Sequence, residues 1–160
     1  MRAACYDETG PASRVLRIVA APDPAPGEGE ALVRVVASGV NLSDVKKRAG
    51  WMMGPAEFQR IIPHSDGAGV IAAVGVGVDP ARVGERVWLW NAQWGRAGGT
   101  AAEFVALPAA QAEPLPDAVG FAEGACLGIP ARTGWVAATA GRPGPGRRVM
   151  VQGGGGAVGS

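Results

Sequence analysis

The chain has 160 residues, of which 15 are Lys or Arg and 14 are Asp or Glu, so its formal net charge is +1. Hydrophobic residues make up 48% and charged residues only 18%, which favours a folded domain over a disordered chain. A near-neutral surface without long basic runs argues against a nucleic acid or an anionic membrane as partner. The length supports one complete hydrophobic core and the start of a second.

The N-terminal segment lacks the pattern of a secretory signal, because Asp7 and Glu8 interrupt the apolar run that such a signal requires. The longest apolar stretch, residues 67–78, contains several glycines and is shorter than the ~20 residues of a membrane-spanning helix. The two cysteines, Cys5 and Cys126, are too few for a disulfide framework. We therefore expect a cytoplasmic protein that has no membrane partner.

Short β-prone runs bounded by Gly, Pro or Asp occupy the first two thirds of the chain. Strands are predicted near the N-terminus and over residues 31–37, 69–74, 86–90 and 102–107. Their spacing, with turns between them, is typical of a compact antiparallel barrel or sandwich. A short helix is expected over residues 43–49.

The pattern changes in the last third of the chain. Residues 121–127 and 130–140 are predicted as helices, and residues 147–152 as a short buried strand that runs directly into a glycine-rich turn. We therefore divide the chain into a first domain, residues 1–118, and a second segment, residues 119–160.

The glycines at 153, 156 and 159 have the spacing of a phosphate-binding turn between a strand and a helix. Without β-carbons, the backbone amides can approach a pyrophosphate, which then lies at the positive end of the helix. A P-loop is not supported, because it needs a lysine where Ser160 stands. A flexible hinge is the alternative, but the preceding strand favours a dinucleotide site. Because a dinucleotide fold needs several more strands, we expect this chain to be the N-terminal part of a longer protein.

Four segments appear in a characteristic order: Ser-Gly-Val-Asn-Leu-Ser-Asp at 38–44, Pro-His-Ser-Asp-Gly-Ala-Gly-Val at 63–70, Gly-Ile-Pro-Ala-Arg-Thr-Gly at 128–134, and the glycine turn. Together they resemble the zinc-independent, zeta-crystallin-like quinone oxidoreductases of the medium-chain dehydrogenase/reductase superfamily. The resemblance implies a GroES-like β-barrel catalytic domain of the α+β class. It is followed by the truncated start of a Rossmann domain, which belongs to the α/β class. The resemblance also implies hydride transfer from NADPH to a quinone or an α,β-unsaturated carbonyl, in a protein that is a homodimer at full length.

The resemblance places Asn41 and Thr133 beside the nicotinamide, and these are the predicted catalytic residues. The Asn41 amide both donates and accepts hydrogen bonds, as a group that holds a nicotinamide or a substrate oxygen must. Each residue also has a structural alternative, since Asn41 can cap the following helix and the Thr133 hydroxyl can bond back to a helix carbonyl. Both are also predicted to bind the cofactor, together with residues of the turn: Gly153, Gly154, Gly156, Ala157, Val158 and Gly159.

No metal site is expected, because Asn41 and Ser65 stand where zinc-dependent relatives carry a cysteine and a histidine ligand. His64 lies one place before Ser65, at a position often occupied by glycine in the family, so the ligand role is not transferred to it. The alternative is a Cys2His site built from Cys5, His64 and Cys126. The two cysteines are more simply explained as a strand core residue and a small apolar helix residue.

Trp51 and His64 are the predicted substrate-pocket residues, with residues 91–99 as a loop at the rim. For His64, a hydrogen-bonded position in a loop or at the edge of a cleft is favoured over acid–base catalysis. Asp44 and Asp66 are assigned to helix and loop anchoring. Two other functions stay open: a zinc-dependent alcohol dehydrogenase-like enzyme of the same superfamily, and a non-catalytic GroES-like binding module.

Overall fold

The fold is described for residues 1–51, 59–142 and 144–159 of a computed structural model. Two N-terminal strands pair antiparallel as a ribbon, and five further strands form an antiparallel sheet in the order β6-β3-β4-β5-β7. The strands are β1 (Arg2–Cys5), β2 (Arg17–Ala20), β3 (Glu30–Gly39), β4 (Asp66–Val74), β5 (Arg86–Leu89), β6 (Phe104–Pro108) and β7 (Ala112–Pro114).

The hydrophobic core lies on one face of the five-stranded sheet. Side chains alternate between the two faces of a strand, and in β5 and β6 every second residue is buried. The main cluster draws on five strands and the loop after β5: Ala31, Val33, Ile71, Val87, Leu89, Ala92, Val105, Leu107 and Ala112. Burial of these side chains is the principal stabilising term of the sheet.

The predicted strands are confirmed, with shifts at their ends. β4 begins three residues earlier than expected, because Gly67 and Ala68 pair with Ser38 and Ala37 at the end of β3. The sequence analysis missed β2 and β7, which have four and three residues and are too short to show an alternating pattern.

Four helices are present in the described residues: α1 (Ala12–Val15), α2 (Leu42–Arg48), α3 (Phe121–Gly124) and α4 (Arg132–Ala140). α2 confirms the helix predicted after Asn41. The predicted second and third helices are shortened, because a π-helical turn (Leu127–Ala131) separates α3 from α4. Pro130 lies in this turn and has no N–H to donate, which disfavours a regular helix through it.

The strand predicted over residues 147–152 is wrong for the described chain. Residues 147–151 form no strand, and Met150 is 90% exposed. A strand is stabilised by hydrogen bonds to a neighbouring strand, and no described strand lies beside this segment.

Within the described residues, no helix is both long enough and apolar enough to cross a membrane.

Candidate active site

The end of β3 and the start of α2 fix the position of Asn41. Antiparallel pairing of β3 with β4 runs up to Gly39 opposite Asp66, and the chain then turns into the helix at Asn41. Asp44 holds this turn, because its carboxylate accepts a hydrogen bond of 2.8 Å from the backbone N–H of Asn41. Asp44 therefore anchors the helix, as predicted.

The side chain of Asn41 is directed to Asp66. Its Nδ2 donates to Asp66 Oδ2 at 2.8 Å, and the backbone N–H of Ile129 donates to the same oxygen at 2.6 Å. Since a carboxylate oxygen only accepts hydrogen bonds, the amide nitrogen of Asn41 faces Asp66 and its amide oxygen faces away. Asn41 also stands at the N-cap position of α2, where it and Asp44 form a capping box.

Asp66 joins two segments that are far apart in the sequence. Its carboxyl group is fully buried, and burial raises its pKa, as does the nearby carboxyl of Asp44. The hydrogen bonds from Ile129 and Asn41 and the positive charge of Arg132 oppose this effect, but the net shift of the Asp66 pKa is upward. The second oxygen, Oδ1, is buried and has no hydrogen-bond partner among the described residues.

Gly128 lets the π-helical turn pass directly over this carboxyl group. A β-carbon at residue 128 would lie 2.1 Å from Asp66 Oδ1 and 2.3 Å from its carboxyl carbon. No side chain fits there. The close approach places the N–H of Ile129 on Asp66 and leads into α4, which carries Thr133.

Thr133 lies on the wall of an open cleft of about 470 Å³ beside this junction. The hydroxyl of Thr139 bonds back to the carbonyl of Trp135 at 2.8 Å, but no such bond is found for Thr133 in the described part of the chain. The Thr133 hydroxyl is thus available to a ligand. Six residues form most of the cleft: Trp90, Asn91, Ile129, Arg132, Thr133 and Val136.

The sequence analysis missed a pair of residues in this cleft. The guanidinium of Arg132 lies over the ring of Trp90, with 4.2 Å from its carbon to the ring centroid. Trp90 follows β5 and Arg132 begins α4, so the two meet only in the folded chain. The available signal was a single charged residue in the otherwise uncharged sequence 128–141.

The glycine turn packs against the same helix. A β-carbon at Gly134 would lie 2.8 Å from the carbonyl oxygen of Val158, so this glycine permits the contact. The turn is closed by hydrogen bonds from Gly156 N–H to Gly153 O (2.9 Å) and from Gly159 N–H to Gly156 O (3.1 Å). The predicted cofactor-binding residues 153–159 and Thr133 therefore lie around one helix.

His64 lies in a different groove from Thr133. This groove, also of about 470 Å³, lies between the β1–β2 ribbon and β3. His64 Nδ1 is 2.8 Å from the hydroxyl of Ser38, which is 2.9 Å from that of Thr100, and Thr100 donates to the backbone oxygen of Asp66. The His64 φ of 78° lies in the left-handed region that glycine prefers, and burial lowers the pKa of its ring. His64 thus holds a hydrogen-bonded position at the edge of a groove, and its role in a substrate pocket stays a prediction.

Trp51 is 79% exposed, immediately after α2 and next to residues 52–58, which lie outside the described residues. It is not brought together with Thr133 or His64, and its role in a substrate pocket stays a prediction. In the rim loop 91–99, Trp94 lies against α2, with Lys47 Nζ 5.8 Å from the centroid of its ring.

Cys5, His64 and Cys126 do not converge. Cys5 is buried on β1 and Cys126 is exposed after α3. In the ranges that the structure describes, no three His, Cys, Asp or Glu side chains are placed to hold a metal ion. The alternative Cys2His site therefore has no support in the geometry.

Comparison with known proteins identifies the family. Residues 27–117 match the model of the alcohol dehydrogenase GroES-like domain. The rat synaptic vesicle membrane protein VAT-1 homolog is 36% identical over 137 residues, which are 85% of this chain and 32% of that protein. Rat quinone oxidoreductase is 36% identical over 138 residues, covering 85% of this chain and 40% of the relative. The chain thus spans about a third of the length of the first relative and about two fifths of the second.

Solved structures agree with this assignment. Mycobacterial Rv1454c complexed with NADPH superposes with a TM-score of 0.85 at 34% identity, covering 99% of this chain and 47% of that one. A cobalt- and zinc-bound thermostable alcohol dehydrogenase from Pyrobaculum aerophilum superposes with a TM-score of 0.86 at 32% identity. The match covers 99% of this chain and 53% of that one. These matches confirm the predicted GroES-like fold, and the chain belongs to the alcohol dehydrogenase GroES-like domain family of the medium-chain dehydrogenases/reductases.

Proposed function

We propose that this chain is the catalytic part of an NADPH-dependent, metal-free oxidoreductase that reduces a quinone or an α,β-unsaturated carbonyl. The observation that carries the proposal is the fixed amide of Asn41, held by Asp66 next to the cleft that Thr133 lines. Support comes from the quinone oxidoreductase relatives and from the similar structure that holds NADPH. The balanced reaction is acceptor + NADPH + H⁺ giving reduced acceptor + NADP⁺.

The glycine turn suits the pyrophosphate of such a cofactor. Gly153 has a φ of 79°, and a β-carbon at Gly159 would lie 2.4 Å from the carbonyl oxygen of Gly153, so both positions require glycine. At Gly155 a β-carbon would meet nothing within 4 Å, which leaves the outer side of the turn open. Exposed amides in a tight glycine turn are suited to phosphate oxygens.

Asn41 and Thr133 have complementary roles in this proposal. The Asn41 oxygen faces away from Asp66 and can accept a hydrogen bond from the carboxamide of the nicotinamide ring. The Thr133 hydroxyl and the second N–H of Asn41 can donate to the acceptor oxygen as negative charge develops there. When bound, NADPH supplies the hydride. Asp66 acts through Asn41, because it keeps the amide from rotating.

The absence of a metal requirement is part of the proposal. Asn41 and the buried Ser65 offer no thiolate or imidazole at the positions where zinc-dependent relatives carry ligands. Without a metal ion, the protein must polarise the acceptor carbonyl through hydrogen bonds. A domain boundary at residue 118, a homodimer and a cytoplasmic location remain predictions.

The test is steady-state oxidation of NADPH by the whole protein with 1,4-naphthoquinone and an enone, before and after exhaustive chelation. We expect turnover that chelation leaves unchanged, and a loss of about a hundredfold in kcat/KM for Asn41→Ala. Thr133→Ala should lower kcat/KM, whereas Thr139→Ala is the matched control, because its hydroxyl bonds to its own helix.

Three results would contradict this function. Stoichiometric zinc whose removal abolishes turnover would favour the zinc-dependent alternative. No turnover with a broad set of acceptors would favour a non-catalytic binding module. Equal activities for Thr133→Ala and Thr139→Ala would remove Thr133 from the site.

A further inference from the structure

A stacked arginine supplies the charge of the cleft beside Thr133. Arg132 is the only charged residue among those that line it in the described part of the chain; the others are aromatic, apolar or neutral polar. Arg132 also forms no ion pair with a described carboxylate, in contrast to Arg2, Arg60, Arg82 and Arg86. The cleft therefore has a net positive charge that the described chain does not neutralise directly.

The ring of Trp90 fixes the orientation of this charge. A guanidinium stacked 4.2 Å from the ring centroid has one face covered, while its N–H groups point outward from the edge. These N–H groups form a planar fork that matches the two oxygens of a carboxylate. A lysine at the same position would provide a point charge without the fork.

Arg132 lies close enough to the junction at Asp66 to influence it. Its positive charge lowers the pKa of the Asp66 carboxyl group, although burial has the larger and opposite effect. Asp66 itself is fully buried, and its hydrogen bonds go to Asn41 and Ile129. Asp66 is thus not a direct partner of the guanidinium, and the outer edge of Arg132 remains open to a ligand.

We propose that the Arg132–Trp90 pair makes this protein selective for acceptors that carry a carboxylate next to a flat conjugated system. The flat part would lie along the apolar wall at Ile129 and Val136, with the carboxylate on the guanidinium edge. This inference rests on the proposed function and goes beyond it by assigning the charge of the substrate. A phosphate of the cofactor has similar chemistry, so the experiment must separate the two sources.

The test compares two acceptors that differ by one negative charge and one methyl group: 1,4-naphthoquinone bearing a propanoate side chain, and the methyl ester of the same compound. We expect kcat/KM to be higher for the propanoate, and Arg132→Gln to lower it by about ten- to a hundredfold for the propanoate while changing the ester by less than about threefold. For the propanoate, the kcat/KM of Arg132→Lys should lie between those of the unchanged protein and Arg132→Gln, because lysine keeps the charge and loses the fork. Arg14→Gln, an exposed arginine on α1, is the matched control for loss of one positive charge.

Binding measured by calorimetry, in the absence of turnover, keeps the proposal separate from the proposed function. Tighter binding of the propanoate that is lost in Arg132→Gln supports the inference even if neither compound is reduced. Equal affinity for acid and ester overturns it even if both are reduced. If Arg132→Gln weakens NADPH and leaves the propanoate-to-ester ratio unchanged, the anion belongs to the cofactor and the inference is wrong.

Discussion

The five-stranded sheet and the segment from α4 to the glycine turn bury their large apolar residues to very different extents. In the sheet, Val33, Val87, Leu89 and Leu107 are completely inaccessible to solvent. In the second segment, by contrast, the large apolar side chains are exposed: Trp135, Val136, Val149, Met150 and Val151. Within the described chain, stability must therefore come mainly from the sheet.

The two regions also contribute differently to the candidate site. The sheet supplies residues held by buried hydrogen bonds, as Asp66 is at the start of β4. α4 has no buried residue and supplies exposed side chains, including Thr133 and Arg132, on one wall of the cleft. A buried, hydrogen-bonded anchor thus lies beside a wall whose side chains are accessible to a ligand.

The largest difference in stability is expected between truncation of a buried side chain in the sheet and truncation of an exposed one in the second segment. Leu89→Ala removes a fully buried side chain from the centre of the sheet and should cost about 2–5 kcal/mol in the free energy of unfolding. Met150→Ala, at a residue that is 90% exposed, should change it by less than about 0.5 kcal/mol. Urea denaturation measures both. Comparable losses would show that Met150 is buried in solution and that the contrast between the regions is wrong.

A smaller loss of stability is expected for a substitution at Gly128, where the two regions meet. Gly128→Ala would place a methyl group against the carboxyl of Asp66 and should destabilise the protein by about 1–3 kcal/mol. Gly141→Ala is the matched control, because a β-carbon there meets nothing within 4 Å and its φ of −78° suits any residue. Thermal unfolding of the two variants distinguishes them. Equal midpoints would mean that Asp66 and the π-helical turn are not in contact.

The smallest change in stability is expected for the replacement of Asp66 by asparagine. Both of its hydrogen bonds go to one oxygen, so the side-chain oxygen of an asparagine can accept both. Asp66→Asn should therefore change stability by less than about 1 kcal/mol at pH 7, whereas Asp66→Ala leaves two donors unpaired and should cost about 1–3 kcal/mol. Urea denaturation at pH 7 compares them.

The pH dependence gives a second readout for Asp66. Because its pKa is raised in the folded state, its contribution to stability is complete below the normal carboxyl value of about 4 and is lost as the pH rises through the raised value. Asp66→Asn should reduce this loss of stability with rising pH. The part that remains should come from Asp44, because burial raises its pKa as well. An unchanged pH profile would show that Asp66 is not desolvated.

The sequence predicted the sheet well because β-prone composition between Gly, Pro or Asp is a local property. The strands near residues 31–37 and 86–90 were found in this way. The strand at 147–152 was predicted wrongly by the same reasoning, because a β-prone run forms a strand only where another strand pairs with it.

The candidate site was predictable only in part. The family resemblance pointed to Asn41 and Thr133, but nothing local showed that Asp66 would receive the amide of Asn41 and the N–H of Ile129. Asp66 and Ile129 are 63 residues apart, and the contact depends on the missing β-carbon of Gly128. The pairing of Trp90 with Arg132 is likewise a tertiary contact that no sequence period encodes.

In the groove beside His64, the hydroxyl groups of Ser38 and Thr100 determine which ring nitrogen of the histidine carries the hydrogen atom. Thr100 uses its only hydroxyl hydrogen on the Asp66 carbonyl, so Ser38 must donate to Thr100, and the imidazole must then donate through Nδ1 to Ser38. His64 is thereby held as the Nδ1–H tautomer, with its lone pair on Nε2. Protonation of the ring would add a hydrogen at Nε2 and leave the whole relay to β4 undisturbed.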